Sequence, residues 1–118
     1  MYLRPGSLSR QFLVEEKGTG IRDTGRKETV FRGTGRILVG VLSDAKTSEI
    51  QRWKELQHPI THTIVQQGGP VLAKPGDRLV HGGRYFYVQG VDDPSMLGAF
   101  VLYYVEERSD RVDARRGR

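Results

Sequence analysis

Residues 76–107 decide the fold, with the sequence GDRLVHGGRYFYVQGVDDPSMLGAFVLYYVEE. Two long runs rich in Val, Tyr and Phe, residues 84–91 and 98–107, each follow a turn sequence, His81-Gly82-Gly83 or Asp92-Asp93-Pro94. This pattern predicts successive β-strands. Both faces of the two runs are apolar, whereas a strand with one face in water alternates apolar with polar side chains. The second face therefore needs a cover, and another subunit is one candidate.

The composition is that of a small polar domain. The chain has 118 residues, 36% hydrophobic and 28% charged, with no cysteine. This composition excludes disulfides, thiol catalysis and cysteine zinc sites. No apolar run approaches the roughly 20 residues of a membrane helix, and residues 1–5 lack the apolar core of a secretory signal. We expect one β-barrel domain over residues 1–107, no membrane partner and an intracellular place of assembly.

Positive charge is concentrated in two segments. Residues 17–36 carry six basic against two acidic side chains, and residues 108–118 carry five arginines against two aspartates. The formal net charge of the whole chain is +5, so residues 37–107 are mildly acidic by comparison. Glycines interrupt residues 17–36, and Gly-Thr-Gly occurs at both ends, which predicts a long Gly/Arg-rich loop with two hinges. Residues 108–118 are expected to form a basic C-terminal tail.

The rest of the chain predicts more strands and one helix. Strands are expected at residues 11–16, 37–42 and 61–66, and the second is apolar on both faces. A short helix follows residue 43, with Ile50 and Trp53 on the face that docks onto the sheet. Strand, long loop, strand, helix and then further short strands predict a mainly β fold: a small, mostly antiparallel barrel or sandwich with one flanking helix.

No constellation of residues supports catalysis or cofactor binding. The triplet Asp23-Thr24-Gly25 matches the short aspartic-protease motif, but arginines flank it where that mechanism needs a protected pair of carboxylates. His58, His62 and His81 are the only histidines, and their settings favour structural roles over a zinc site. Nucleotide-binding and nucleophile-elbow motifs are absent from the sequence. We expect no enzyme activity, no metal and no cofactor.

Three groups of residues are candidates for binding. The basic side chains of the loop are predicted to make non-specific phosphate contacts with nucleic acid, and they are Arg22, Arg26, Lys27, Arg32 and Arg36. The strand tyrosines are predicted to lie in a subunit interface or in the core rather than to stack on bases, and they are Tyr85, Tyr87 and Tyr103. The tail is predicted to dock on a neighbour through Arg108, Arg111, Arg115 and Arg116.

The assembled pattern resembles the phage head-closure proteins, also called head–tail joining or stopper proteins. The resemblance covers roughly residues 36–107. It rests on Trp53, on HPITHTIV at residues 58–65, on GDR at 76–78 and on GRYFYV at 83–88. It continues through VDDP at 91–94 and ends on LYYVEE at 102–107.

This resemblance implies a six-stranded barrel and a virion role. Family members form a ring between the portal with its adaptor and the tail, and they close the channel after DNA packaging. A long loop between the first two strands, here residues 17–36, reaches into that channel. The implied partners are other copies of the chain in a ring of six or twelve, the portal-adaptor ring, a tail-terminator or tail-completion protein, and packaged double-stranded DNA.

Two other functions fit the same sequence. One is a basic nucleic-acid-binding barrel of the OB type, which would bind single strands as a monomer with steep salt dependence. The other is a tail-terminator type of ring protein with a similar barrel. Both retain the predicted fold and differ in the partners that the barrel contacts.

Overall fold

The computed structural model describes residues 8–21, 25, 27–93 and 99–109. In these ranges the chain forms six strands and one helix. They are β1 Ser9–Ile21, β2 Lys27–Asp44, α1 Thr47–Glu55, β3 His62–Gln67, β4 Arg78–His81, β5 Arg84–Asp92 and β6 Phe100–Arg108. The described part of the chain contains no helix with the length and apolar character that a membrane crossing requires.

The strands close into an antiparallel barrel in the order β1-β2-β3-β6-β5-β4. The ring of hydrogen-bonded strands is completed where β4 pairs with β1, opposite Leu13, Val14 and Glu15. Gly82 and Gly83, both at positive φ, make the tight turn from β4 to β5, as two-residue hairpins require. The prediction of a mainly β fold, a small barrel of six antiparallel strands with one short flanking helix, is therefore confirmed.

Alternation along each strand places one face inside the barrel. Phe12 and Val14 of β1 and Phe86 of β5 are almost completely buried, and the rings of Phe12 and Phe86 meet edge to face at 5.8 Å. Further buried core side chains are Val88 of β5 and, from the other strands, Leu38, Ile64, Leu79, Val101, Tyr103 and Val105. The inner face of every strand thus belongs to the core of this chain.

Helix α1 docks on the outside of β5 and β6 mainly through Trp53, and the guanidinium of Arg52 also lies near the ring of Tyr104. The indole ring of Trp53 lies 4.9 Å from the ring of Tyr104, between centroids. A Cβ at Gly90 would come within 2.3 Å of the indole, so glycine is needed for this close approach. Ile50, which the sequence also predicts to dock, remains 37% exposed. The helix therefore covers one sector of the outer barrel surface with Trp53 alone among its predicted anchors.

The prediction of a long loop over residues 17–36 is wrong in its extent. Residues 17–21 continue β1 and residues 27–36 belong to β2, and the two segments pair with each other in antiparallel register. The glycine-rich sequence has a low local preference for a strand, and cross-strand pairing compensates for it. β-Branched residues on both strands also favour the pleated conformation. The predicted loop residues Arg22 and Arg26 lie outside the described residues.

The predicted tail begins later than expected. Arg108 is the last residue of β6, where it pairs with Tyr85 of β5. The pairing places it in the barrel wall and not in a separate tail. The other predicted tail residues, Arg111, Arg115 and Arg116, lie outside the described residues.

Candidate assembly surface

A two-stranded arm projects from the barrel. Among the described residues, β1 pairs only with β2 beyond Glu15, and β2 pairs only with β1 before Val41. We call residues 16–21 and 27–32 the ribbon. Its six cross-strand pairs run from Glu16↔Arg32 to Ile21↔Lys27, which gives a length of roughly 20 Å. The described residues of the segment that was predicted to reach a channel thus form two paired strands.

A β-bulge marks the root of the ribbon. Residues 34–36 of β2 stand opposite Val14 alone. The hydroxyl of Thr34 donates a hydrogen bond to the Val14 carbonyl at 2.8 Å and accepts one from the Arg36 amide at 3.1 Å. Gly35 has a φ of 83°, a left-handed conformation that favours glycine. The second Gly-Thr-Gly triplet is therefore a bulge and the first lies within β1, so neither is the end of a loop.

The inner side of the root is held by a charged group. The guanidinium of Arg36 donates to the Glu16 carboxylate at 2.8 Å and to the Leu72 carbonyl at 3.1 Å. The hydrogen bond from Arg36, with the nearby charge of Lys74, holds the pKa of Glu16 below its ordinary value. Arg36, which the sequence assigned to the DNA-facing group, thus has two partners within its own chain.

The outer side of the root carries what we call the arginine cluster. Its members are Glu15, Phe31, Arg78, Tyr85, Tyr87, Glu106 and Arg108. Glu15, Arg78, Tyr87 and Glu106 stand directly opposite one another on β1, β4, β5 and β6, so they form one row across the outside of the barrel. The row lies next to the ribbon, because Glu15 is the last residue before it.

Arg78 is the centre of the cluster. Its Nε and Nη2 atoms lie 2.7 Å and 2.6 Å from Oε1 of Glu15. The guanidinium carbon lies 4.3 Å from the ring centroid of Phe31 and 4.8 Å from that of Tyr85. Burial lowers the pKa of Arg78, but hydrogen bonds to Tyr87 and Glu15 outweigh it and raise the pKa overall. The cation is therefore permanently charged and enclosed by aromatic rings.

Tyr87 is the most buried aromatic residue of the arginine cluster. Its ring meets the Phe31 ring edge to face at 5.6 Å and has the Arg108 guanidinium 4.3 Å from its centroid. Arg108 is itself paired with Glu106 at 2.8 Å. Only 9% of Tyr87 is exposed. Its side chain points outward, yet its own chain covers most of it. A subunit contact at Tyr87 stays a prediction. An interface at Tyr85, which is half-buried, stays a prediction.

Tyr103 does not lie in an interface. Its side chain is fully buried inside the barrel, where its hydroxyl donates to Gln66 Oε1 at 2.7 Å and accepts from the Leu72 amide at 3.0 Å. Burial raises the pKa of the Tyr103 hydroxyl. The apolar character of both faces of β6 had made the inward and outward residues hard to distinguish. The prediction of an interface role for Tyr103 is therefore wrong, and its role is in the core.

The uncovered apolar surface lies elsewhere, on the outside of β1 and β2. Leu13, Ile37 and Val39 are 54%, 49% and 47% exposed. Leu13 and Ile37 are direct cross-strand partners, and Val39 follows on the same face of β2. We call these three side chains the outer strip. A signal for it was present in the sequence, because residues 37–42 are apolar on both faces. Leu13 had no such local signal.

The other described basic residues that the sequence placed in the loop lie on the strands of the ribbon. Arg32 is exposed on the ribbon, in the cross-strand position opposite Glu16. Lys27 begins β2 opposite Ile21. Lys17, which the sequence counted among the basic residues of the segment, is also exposed. The described part of the ribbon thus presents Lys17 and Arg32 to solvent.

Comparisons with known proteins add a structural likeness. No protein-family model matches the chain, and no curated protein matches it. One similar solved structure is a chain of the "Virion of native gene transfer agent (GTA) particle", with a TM-score of 0.54 and 18% sequence identity. The alignment covers 85% of this chain and 94% of that one. The two chains share a fold. At this identity the likeness extends to the architecture of the barrel and no further.

The described residues offer little to metal chemistry. No group of three or more His, Cys, Asp or Glu side chains within residues 8–21, 25, 27–93 and 99–109 is placed to hold a metal ion. His62 lies between the carboxylates of Asp44 and Glu107, at 3.4 Å and 4.0 Å, and against the ring of Phe86. The features that distinguish this part of the molecule are a projecting arm, an enclosed arginine and an open aliphatic strip.

Proposed function

We propose that the chain is a structural component of a virion, a ring subunit between the head and the tail of a phage-like particle that helps to close the DNA channel. The observation that carries the proposal is the outer strip, an aliphatic surface left open at the root of a projecting ribbon. The fold shared with a chain of a gene transfer agent virion supports a virion setting. The resemblance of residues 36–107 to head-closure proteins supports the position at the neck.

Ring formation follows from the distribution of apolar surface. Trp53 covers part of the outside of β5 and β6, and arginines cover Tyr87, but no described residue covers the outer strip in this way. Contiguous exposed apolar side chains mark interaction sites more often than single ones do. A neighbouring copy that buries Leu13, Ile37 and Val39 in a head-to-tail contact closes into a ring when the rotation allows. Six or twelve copies are proposed.

The ribbon then reaches toward the axis of the ring. Lys17 and Arg32 are the exposed basic residues that its described part would bring near packaged double-stranded DNA. Such contacts are independent of base sequence and weaken as salt rises. The portal-adaptor ring on one side and a tail-completion or tail-terminator protein on the other are the proposed neighbours. The role is structural, and no enzymatic step is proposed.

The OB-type alternative is less well supported. Base stacking needs open aromatic faces next to free cations. In the arginine cluster, Tyr87 is buried and Arg78 and Arg108 are paired with Glu15 and Glu106. A salt titration of the purified chain against single-stranded DNA tests this alternative. Tight binding by the monomer would favour the OB type, and weak binding at all salt concentrations would favour the ring subunit.

The ring proposal is tested by placing a charge in the outer strip. Ile37→Lys introduces an ammonium where an apolar contact is proposed, and Gln51→Lys introduces the same group on exposed helix α1. Sedimentation velocity of the purified chains, from low to high concentration, should show self-association for the wild type and Gln51→Lys. Ile37→Lys should raise the concentration needed for association by at least about tenfold. Equal association of all three proteins would contradict the proposal.

The role of the ribbon is tested in particles. Replacement of residues 18–30 by a two-residue Asn-Gly turn keeps Phe31 and the arginine cluster and removes the rest of the ribbon. The shortened chain should still fold and enter particles. Those particles should lose DNA or fail to join tails, as measured by nuclease-accessible DNA and electron microscopy. Fully stable, infectious particles with the shortened chain would remove the gating role while leaving the ring role intact.

A further inference from the structure

We propose that Arg78 positions the ribbon on the barrel, and that Tyr87 couples the direction of the ribbon to the end of β6. The inference concerns the isolated chain and goes beyond the proposed function. It is decided by measurements on the monomer, so it stands or fails separately from ring assembly.

The first step is that the ribbon contacts strands with which it does not pair. Phe31 is the one aromatic side chain of residues 16–21 and 27–32. It lies on the guanidinium of Arg78 from β4, at 4.3 Å, and against the ring of Tyr87 from β5, at 5.6 Å. A two-stranded ribbon without a third strand is only marginally stable in water. A side contact to the barrel therefore decides how far the ribbon is ordered and in which direction it extends.

The second step is that Arg78 is itself immobilised. Two of its nitrogens bond Oε1 of Glu15, and its Nη1 lies 3.4 Å from the Tyr87 hydroxyl. Only 16% of the Arg78 side chain is exposed. The planar guanidinium fits between the rings of Phe31 and Tyr85, a position that the compact ammonium of lysine does not reproduce. Arg78 thus transmits the position of the barrel strands to Phe31.

The third step links the ribbon to the end of β6. Tyr87 contacts Phe31 at one side and carries the Arg108 guanidinium, 4.3 Å from its ring centroid. Arg108 ends β6 and is held by Glu106 at 2.8 Å. The two basic segments of the sequence, one near residue 30 and one beginning at residue 108, therefore meet at a single aromatic ring. A change in the position of Arg108 alters the surface on which Phe31 rests.

The contacts at the bulge do not replace this function. Thr34 and Arg36 hold the backbone at the root, where they bond Val14, Glu16 and Leu72. Their one bonded partner among the described residues of the ribbon is Glu16, in the first cross-strand pair. Phe31 provides the contact beyond the root. It precedes Thr34 by three residues in β2 and so lies closer to the far end of the ribbon. Loss of Arg78 should therefore loosen the ribbon while the bulge stays formed.

The experiment is amide hydrogen exchange on the purified full-length chain, with Arg78→Lys as the main variant. Protection of residues 17–21 and 28–32 should fall about tenfold, because the stacked contact and the planar hydrogen bonds are lost. Protection of the barrel amides of Ile64 and Tyr103 should stay unchanged. The matched control is Arg84→Lys, since Arg84 also bonds a glutamate, Glu107, and also stacks on a ring, Phe86, in contacts that do not involve the ribbon.

Two further variants keep the test decisive. Phe31→Leu removes the ring from the ribbon side and should give the same local loss, which covers the case in which Arg78→Lys weakens the whole barrel. Arg108→Gln should lower ribbon protection by a smaller factor, about threefold. Unchanged ribbon protection in both Arg78→Lys and Phe31→Leu would overturn the positioning role. Unchanged protection in Arg108→Gln would overturn the coupling to β6.

Discussion

The outer face of β5 and β6 and the outer face of β1 and β2 are both apolar, but only the first is covered. Trp53 of α1 lies on Tyr104 and Gly90, and arginines lie over Tyr87. Leu13 and Ile37 on the other face are about half exposed. An apolar outer face is therefore not by itself an interface. What distinguishes the two is whether the chain supplies its own cover.

The largest difference between the two faces should appear on truncation. Trp53→Ala removes the indole that holds α1 and should lower the free energy of unfolding by about 3 kcal/mol. Ile37→Ala on the uncovered face removes a half-exposed side chain and should cost less than about 1 kcal/mol. Urea denaturation followed by circular dichroism measures both. Similar losses for the two variants would mean that the faces are equally covered in the monomer.

A milder change at the covered face refines the first result. Trp53→Phe keeps an aromatic ring on Tyr104, and the indole Nε1 of Trp53 has no hydrogen-bond partner among the described residues. This variant should therefore recover more than half of the stability that Trp53→Ala loses, in the same urea denaturation. A loss as large as that of Trp53→Ala would point to a role of the indole beyond packing.

An effect of intermediate size on stability is expected at Tyr103. Its substitution tests whether this side chain of β6 lies on the inner or the outer face of the barrel. Tyr103→Phe leaves Gln66 Oε1 and the Leu72 amide without their shared partner and should cost about 1–2 kcal/mol. Self-association should not change, because the side chain is inside the barrel. A loss of association at unchanged stability would place Tyr103 in the interface after all.

The same variant tests a pH dependence. Burial raises the pKa of Tyr103 above its ordinary value of 10.0, so the folded chain favours the neutral hydroxyl. Its contribution to stability is complete below about pH 10 and is lost as the pH rises toward the raised value. The difference in unfolding free energy between wild type and Tyr103→Phe should therefore shrink between pH 9 and pH 11. A difference that is constant over this range would contradict the assignment.

Much of the fold follows from local patterns, whereas the cover of the outer faces does not. Alternation along residues 84–91 and 98–107 indicates strands, and the turn at Gly82 and Gly83 indicates how two of them connect. The cover at Arg78 depends on Glu15, which is 63 positions away in the chain. No periodicity encodes such a pair. Sequence reasoning therefore recognises two-faced strands and cannot say which second face its own chain covers.

The ribbon was predicted to be mainly a loop for a related reason. Gly18, Gly20, Gly33 and Gly35 lower the local preference for a strand, and the sequence around them has few apolar anchors. The paired strand supplies the hydrogen bonds, and Phe31 supplies the contact to the barrel. The error at Tyr103 had a different source. Both faces of β6 are apolar, so the sequence pattern does not show which face points into the barrel. Both errors concern contacts between residues that are distant in sequence.

The smallest effect is expected at the root of the ribbon, between the two faces. The hydrogen bond from Arg36 holds the pKa of Glu16 below its ordinary 4.5. The contribution of this pair to stability is therefore present above that value and is lost as the pH falls through the lowered pKa. Titration of the Glu16 side chain by NMR should show the lowered midpoint, and Arg36→Gln should move it back upward. An unchanged midpoint in Arg36→Gln would assign the shift to Lys74 instead.

The bulge opposite Val14 has a consequence for how the chain tolerates changes of length. The bulge adds two residues to β2, an even number. Odd-numbered residues therefore lie on the outer face both before and after the bulge, so Phe31 and Ile37 face the same way. An insertion or deletion of one residue between them would turn Phe31 away from Arg78, whereas a change of two would preserve the contact. Natural variation in length at residues 33–36 should therefore come in even steps.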